Sequence, residues 1–259
     1  MSDVIAAEWL KLRSIRSTYF TLAVPVGFVA MAVLLAIYAV NVWDGLSPAD
    51  RDHFALSSLA TLNAEVTGIC VAVLGVLAIT GEYRTGMIRT TLTAVPRRRV
   101  LLLAKAGVVG AVSLVTGLVV VFGTFFITVA IVGGRPIRGQ PSGVVSELPE
   151  LFARVGAVPV FALFGLGLAV LLRSTAGAIV TVFMLGYVVP ILTSHLPGPW
   201  NERLGSFLLG ALPGQIVGGD NENSVYGAVL PPPVALLVLA AYAALPLTAA
   251  ALTLTRRDA

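Results

Sequence analysis

The sequence predicts an all-α integral membrane protein with six transmembrane helices. Hydrophobic residues make up 57% of the 259 positions and charged residues only 12%, and the charges fall in clusters between long apolar runs. The mean hydropathy of +0.93 is far above that of soluble domains. Runs of about 20 apolar residues cross a bilayer as helices, whereas a membrane β-barrel shows short alternating segments. We therefore interpret residues 1–259 as a single transmembrane domain.

The chain begins with a predicted interfacial helix over residues 3–17. Its apolar residues recur at nearly helical spacing, although Glu8 interrupts the stripe, and the positions concerned are Ile5, Trp9, Leu12 and Ile15. Basic residues followed by an apolar run also occur in secretory signals. The run that follows is too long for the apolar region of a signal, so we assign residues 20–42 as an uncleaved first span.

The second predicted span, 59–80, carries Asn63 and Glu65 inside an apolar run. Small and polar residues recur there on one helical face, at Thr61, Glu65, Gly68, Ala72 and Gly75. Such a face suits either close helix packing or a water-lined path. An ionisable residue within a span is a candidate functional group, because burying it unpaired costs several kcal/mol. Asn63 and Glu65 are thus candidate pathway residues, with a structural role as the alternative.

Four further spans complete the prediction. They cover residues 107–132, 151–172, 176–196 and 234–254. The run 100–132 would measure about 50 Å as one helix, longer than the ~30 Å bilayer core. Its first turns, including Lys105, are therefore expected along the inner interface. Only Arg173 to Thr175 separate the fourth and fifth spans, which makes these two spans antiparallel neighbours, and Pro190 is expected to kink the fifth.

The long segment 197–230 before the last span has an apolar middle, Phe207 to Pro213, that is too short to cross a bilayer. A re-entrant or interfacial helical hairpin fits this pattern, and a plain surface loop is the alternative.

Charge distribution sets the predicted orientation. With both termini inside, twelve of the 17 basic residues lie on the cytoplasmic side and five outside. Basic residues concentrate in cytoplasmic loops, so this count favours both termini in the cytoplasm. The same bias explains the net charge of +4, and no nucleic-acid partner is needed to account for it.

A polar island, residues 81–100, joins the second and third spans. It reads GEYRTGMIRTTLTAVPRRRV and holds five arginines against the single acid Glu82. Met87, Ile88, Leu92 and Val95 form an apolar stripe at roughly helical spacing, and Pro96 ends it. The pattern predicts a short cytoplasmic helix that docks on another protein, or one that rests on anionic lipid headgroups.

This island resembles the loop between the first two core helices of ABC type-2 (ABC-2) transporter permeases. The matching residues are Glu82 to Arg89, Leu92, Pro96 to Arg98, and Ala104 with Lys105. In that family the segment is a coupling helix seated in a groove of the partner ATPase. The resemblance implies a coupling segment over 82–99, with contacts from Glu82, Tyr83, Arg84, Gly86, Met87, Ile88, Arg89, Leu92 and Pro96.

The resemblance also implies partners and a function. The chain would be the permease subunit of a bacterial ABC exporter in the cytoplasmic membrane, paired with a second permease subunit and with an ATP-binding subunit. Its cargo would be lipophilic or amphipathic, such as a drug, a peptide antibiotic or a lipid-linked molecule. The alternatives are an ion-gradient-driven secondary transporter and a membrane-embedded enzyme or scaffold.

The sequence contains no G-x-x-x-x-G-K-[ST], H-E-x-x-H, C-x-x-C or G-x-S-x-G motif. One cysteine, Cys70, and two histidines far apart give no metal-ligand spacing. We therefore predict that the chain is not an enzyme and binds no cofactor, and that ATP and Mg²⁺ bind to the partner ATPase.

Overall fold

The computed structural model describes residues 2–95, 97–140, 143–218 and 229–256, without the side chains of Arg89, Leu92, Thr255 and Arg256. Pro96, the predicted end of the short cytoplasmic helix, lies outside these residues. Within them the regular structure is helical, apart from one isolated β-bridge between Ala55 and Arg138.

Six helices in the described ranges are long and apolar enough to cross a membrane. We call them the first to sixth spans: Arg16–Gly45, Leu59–Thr85, Arg98–Val132, Val144–Leu172, Thr175–Ser194 and Pro232–Leu254. They confirm the predicted all-α membrane fold with six transmembrane helices. Most extend beyond the predicted bounds, because apolar composition marks only the part of a helix that lipid surrounds, and the backbone hydrogen bonds continue past it.

A separate N-terminal helix, Ser2–Ser14, precedes the first span. The chain leaves helical geometry at Ile15, with φ −90° and ψ 123°, and the first span starts at Arg16. The Tyr19 hydroxyl donates a hydrogen bond to the carbonyl oxygen of Arg13 at 2.8 Å and so supports the corner. A helix distinct from the first span is thus present where the sequence predicted the interfacial helix.

The core of the bundle is the contact between the second and fourth spans. A Cβ atom added at Gly75 would lie 2.1 Å from the carbonyl oxygen of Ala162, and one at Gly165 would lie 2.2 Å from that of Ala72. Backbone therefore meets backbone, which only glycine permits at these two positions. The small face predicted on the second span is a helix-packing face along this stretch.

The fourth span also packs against the sixth, where a Cβ added at Gly167 would lie 2.5 Å from the Cβ of Pro246. The fourth span begins at Val144, seven residues before the predicted start, and its first turns pair Glu150 with Arg154 at i and i+4. An ion pair at this spacing stabilises the helix, so it favours helical geometry in the first turns of the fourth span.

The third span is continuous from Arg98 to Val132, with a π-helical turn over Leu118–Phe122. Lys105 in its first half is only 3% exposed. Carboxylates from two other helices meet this lysine and cover it. Its predicted place at the inner interface stays a prediction.

The fifth span starts at Thr175, directly after the turn at Arg173, which has φ 50°. The Ser174 hydroxyl caps this helix by accepting a hydrogen bond from the Gly177 amide at 3.1 Å. A π-helical turn, Met184–Val188, stands ahead of Pro190, where the sequence predicted a kink. The wider turn accommodates the proline, whose ring crowds the preceding helical turn and which has no amide hydrogen to donate.

Two short helices, Trp200–Ser206 and Leu212–Ile216, form a hairpin before the sixth span, which we call the short hairpin. Leu209 and Leu212 pack against Ala235 and Leu239 of that span. The Tyr242 hydroxyl donates to the carbonyl oxygen of Phe207 at 3.0 Å. Tyr242 lies about 15 Å along the sixth span from Pro232. The re-entrant form and the plain surface loop both stay predictions.

Gln215 holds the short hairpin closed. Its buried amide donates to the carbonyl oxygens of Ser206 (2.8 Å) and Ala211 (3.3 Å) and accepts from the Leu230 amide (2.8 Å).

We expect Gln215→Leu to lower the free energy of unfolding by about 1–3 kcal/mol, because these backbone groups lose their hydrogen-bond partner. Trypsin should then cut faster at the exposed Arg203. Gln140→Leu is the control, because it removes another glutamine whose amide donates to a backbone carbonyl oxygen, that of Leu56. If trypsin cut Gln215→Leu no faster than Gln140→Leu, the role of Gln215 would be contradicted.

Candidate functional site

Four charged side chains from three helices meet at one end of the bundle. Glu8 and Lys11 come from the N-terminal helix, Glu82 from the last turn of the second span, and Lys105 from the third span. Lys105 Nζ lies 2.5 Å from Glu8 Oε2 and 2.8 Å from Glu82 Oε1. Lys11 Nζ lies 2.7 Å from Glu8 Oε1 and 3.1 Å from Glu82 Oε1. We call these four residues the ionic cluster.

The two ammonium groups of the ionic cluster use all their donors. Lys105 donates a third hydrogen bond to the carbonyl oxygen of Ala78 at 3.0 Å, and Lys11 donates its third to the Thr91 hydroxyl at 3.3 Å. Two positive and two negative charges cancel. Burying the four together is feasible because each charge has an opposite partner, whereas one of them alone would be strongly destabilising.

Lys11 lies in the N-terminal helix, outside the spans, and is the most exposed member of the cluster. Partial burial by itself lowers the pKa of the Lys11 ammonium, but hydrogen bonds and attraction from Glu8 and Glu82 outweigh it, so the pKa is raised above its usual value. A raised lysine pKa means that the stabilisation by Lys11 is complete at neutral pH and is lost only as the pH rises through that pKa.

A short helix, Met87–Ala94, follows the second span, and we call it the linker helix. Gly86 separates the two helices with φ 70°, a left-handed conformation that glycine adopts without strain. Lys11 reaches Thr91 on the linker helix, and Ile88 packs at 6% exposure into the core cluster formed with the second, fourth and fifth spans. The linker helix is thus attached both to the N-terminal helix and to the bundle.

Comparison with protein families fits this arrangement. A family model described as an ABC-2 family transporter protein matches residues 4–195, from the N-terminal helix to the end of the fifth span. The chain belongs to the ABC-2 transporter family. A comparison with curated proteins found no significant match. Members of the family are membrane components of transporters rather than catalytic domains, so this ABC-2 permease is a multi-pass membrane protein that works with an ATP-binding cassette subunit.

The ABC-2 permease divides the predicted coupling segment 82–99 between three helices. Glu82 to Thr85 are the last turn of the second span, the linker helix occupies the middle, and Arg98 opens the third span. Glu82 is 4% exposed, and Tyr83 is half-buried with the Arg173 guanidinium 5.8 Å from its ring centre. Glu82 is therefore covered, and Tyr83 is only partly exposed.

Other coupling candidates lie on the surface. Arg84, Gly86 and Met87 are exposed, Met87 at 41%. Ile88, a member of the predicted apolar stripe, is not on the surface, because its side chain packs in the core. Arg89 and Leu92 lie in the linker helix, but their side chains, like Pro96, fall outside the described residues. Their roles remain predictions.

The two candidate pathway residues occupy different environments. Asn63 is 2% exposed, and its amide donates to the Thr124 hydroxyl of the third span at 2.8 Å. Glu65 is half-buried and attracted by Arg154 of the fourth span. Asn63 joins the second and third spans within this chain, and the pathway roles of both residues stay predictions.

Sequence reasoning missed three members of the ionic cluster: Glu8, Lys11 and Lys105. A signal was present, because each is a charge next to apolar residues and Glu82 is the lone acid of a basic island. Charges inside apolar segments need partners. Which charge pairs with which depends on helix packing, and the local sequence does not contain that information.

Proposed function

We propose that this chain is the membrane-spanning subunit of an ABC exporter, which forms the substrate pathway with a second copy or a paralogue. The linker helix, with its exposed first residue Met87, and the neighbouring exposed Arg84 would dock on a separate ATP-binding subunit. ATP and Mg²⁺ would be bound by that subunit. The cargo would be lipophilic or amphipathic, and the membrane would be the bacterial cytoplasmic membrane, with both termini inside.

The observation that carries this proposal is the double attachment of the linker helix. Lys11 binds Thr91 on that helix and also Glu82 at the end of the second span, while Ile88 anchors the helix in the core. A push on the linker helix therefore reaches the N-terminal helix and the second span together.

ATP-driven closure of the ATPase pair would supply that push. Because Lys105 ties the third span to the same ionic cluster, the second and third spans would tilt as one unit with the N-terminal helix. The permease would then alternate between two arrangements whose balance ATP binding shifts. The ionic cluster transmits motion in this scheme, and the pathway itself lies between the two subunits.

We expect Met87→Asp to reduce co-purification of the ATP-binding subunit at least about tenfold, because an apolar contact at a protein interface is worth ~1–3 kcal/mol. Met87 is exposed, so the folded permease should be retained, whereas Ile88→Asp would also disrupt the core. The measurement is pull-down of a co-expressed ATPase encoded beside the permease gene.

Val145→Asp is the matched control, since Val145 is 79% exposed at the start of the fourth span. It should leave co-purification unchanged. Undiminished recovery with Met87→Asp would contradict docking at this surface. Labelling of Met87→Cys by an impermeant reagent added outside intact cells would contradict the orientation.

A further inference from the structure

Glu65, near the Leu59 end of the second span, forms no ion pair and no hydrogen bond with the described part of the chain. Arg154 of the fourth span attracts it, but Nε and Nη2 of that guanidinium both donate to Glu150 Oε1, at 2.9 and 2.5 Å. The Glu65 side chain is half-buried, and neither of its carboxylate oxygens is among the enclosed polar atoms that lack a partner. Glu65 therefore presents an accessible negative charge in an apolar segment, where an unpaired charge is costly.

The fifth span passes beside Glu65 at its π-helical turn, Met184–Val188. A Cβ atom added at Gly186 in that turn would lie 3.3 Å from Ile69 Cδ1, and Ile69 is one helical turn from Glu65 on the same face of the second span. Tyr187 follows Gly186 and lies close enough to Glu65 for the two side chains to interact electrostatically. The π-helical turn, a feature frequent at functional sites, thus places an aromatic ring beside the accessible carboxylate.

Aromatic and aliphatic side chains are exposed around this carboxylate. The rings of Tyr187 and Phe183 form a pair, with centres 5.2 Å apart and planes inclined by 31°. Phe183 is 51% exposed, and so is Leu62, which lies one helical turn before Glu65. The faces of aromatic rings attract cations, most strongly where water is excluded. A negative charge next to two rings and an aliphatic side chain fits an apolar molecule that carries a positive charge.

We propose that Glu65, Tyr187 and Phe183 bind a lipophilic organic cation of the quaternary ammonium or arylphosphonium kind. The Glu65 carboxylate balances the positive charge, the two rings lie against the cation, and Leu62 contacts its apolar part. The role of this cation as cargo rests on the proposed function. Binding itself needs neither ATP nor the ATP-binding subunit, so it can be measured on the permease alone.

The charge of the site favours a cation without a phosphate. The headgroup of phosphatidylcholine also contains a quaternary ammonium, but its phosphate would lie near Glu65, and the two negative charges would repel each other. We therefore expect that phosphatidylcholine added to the detergent micelles does not displace the cation.

The experiment compares tetraphenylphosphonium with tetraphenylborate, two ions of nearly equal size and apolar surface but opposite charge. Binding of each radiolabelled ion to the detergent-purified permease is measured by equilibrium dialysis, and uptake by micelles without protein is subtracted. We expect tetraphenylphosphonium to bind at least about tenfold more tightly, because the carboxylate attracts the cation and repels the anion.

Glu65→Gln keeps the size of the side chain and removes its charge. It should weaken tetraphenylphosphonium binding about tenfold and remove most of the preference over tetraphenylborate. Asp52→Asn is the matched control, because it makes the same change in net charge at an exposed residue ahead of the second span. This control should leave the binding of both ions unchanged.

Tyr187→Leu tests the aromatic contact, since leucine keeps an apolar side chain but has no ring. It should weaken tetraphenylphosphonium binding about threefold to tenfold. Tyr38→Leu is its control, at a tyrosine of the first span that is 68% exposed, and it should leave binding unchanged.

Equal binding of the two ions by the wild-type permease would overturn the proposal. Wild-type affinity of Glu65→Gln for tetraphenylphosphonium would also overturn it, because Glu65 would then serve only the attraction to Arg154. Displacement of the probe by phosphatidylcholine would assign the site to a lipid headgroup and overturn the choice of ligand. Selective cation binding by a permease that recovers no ATP-binding subunit would support this site and contradict the proposed function, so the two failures are distinguishable.

Discussion

Replacement of Lys105 by methionine is expected to destabilise the permease by about 3–5 kcal/mol, the cost of breaking a buried ion pair from one side. Lys105 bridges Glu8 and Glu82, and its removal leaves two buried carboxylates with only Lys11 between them. Methionine has a similar shape, so the loss comes from the charge and not from a cavity. A fall of roughly 10 °C or more in the melting temperature of the detergent-purified protein is the expected readout.

The matched control restores the charge balance. Glu8→Gln combined with Lys105→Met leaves one ammonium, Lys11, facing one carboxylate, Glu82. If the ionic cluster acts as a unit, the double variant should be more stable than Lys105→Met alone, with a coupling energy of about 1–3 kcal/mol. If Lys105→Met had the same melting temperature as the wild-type protein, this would refute the claim that the ionic cluster holds the three helices together.

The second large effect is expected at Gly165, where the fourth span meets the second. Gly165→Ala puts a Cβ atom 2.2 Å from the carbonyl oxygen of Ala72, and a backbone atom has to move to relieve the overlap. Overpacking of this kind costs about 1–3 kcal/mol, and we expect the upper end because no flexible side chain absorbs it. The fraction that stays monodisperse in size-exclusion chromatography after heating is the measurement.

Gly156 gives a control on the same helix. A Cβ atom added there would meet nothing within 4 Å, so Gly156→Ala makes the same chemical change without the clash. It should be neutral or stabilising by up to about 1 kcal/mol, because alanine favours a helix over glycine. Equal heat resistance of the two variants would contradict the close backbone contact between the second and fourth spans.

Both effects concern contacts that join distant parts of the chain, and this explains how far sequence reasoning reached. The six spans were predictable because backbone N–H and C=O groups in lipid need hydrogen-bond partners, and a helix supplies them within each apolar run that is long enough to cross the bilayer. The linker helix was predictable from its apolar stripe. Whether that stripe faces the protein core or the surface was not predictable, since periodicity shows that one face of a helix is apolar but not what covers this face. Ile88 therefore turned out to be a core residue.

The sequence by itself determined that this chain crosses the membrane six times and carries a basic segment between the second and third spans. Local physics suffices for both conclusions, because hydrophobic length and charge bias are properties of short stretches. Only the tertiary structure decided that Lys105 meets Glu8 across 97 positions of sequence and that Gly75 and Gly165 let two backbones touch. Those contacts depend on how the spans are rotated and aligned against each other, which is fixed by the packing of all the helices together.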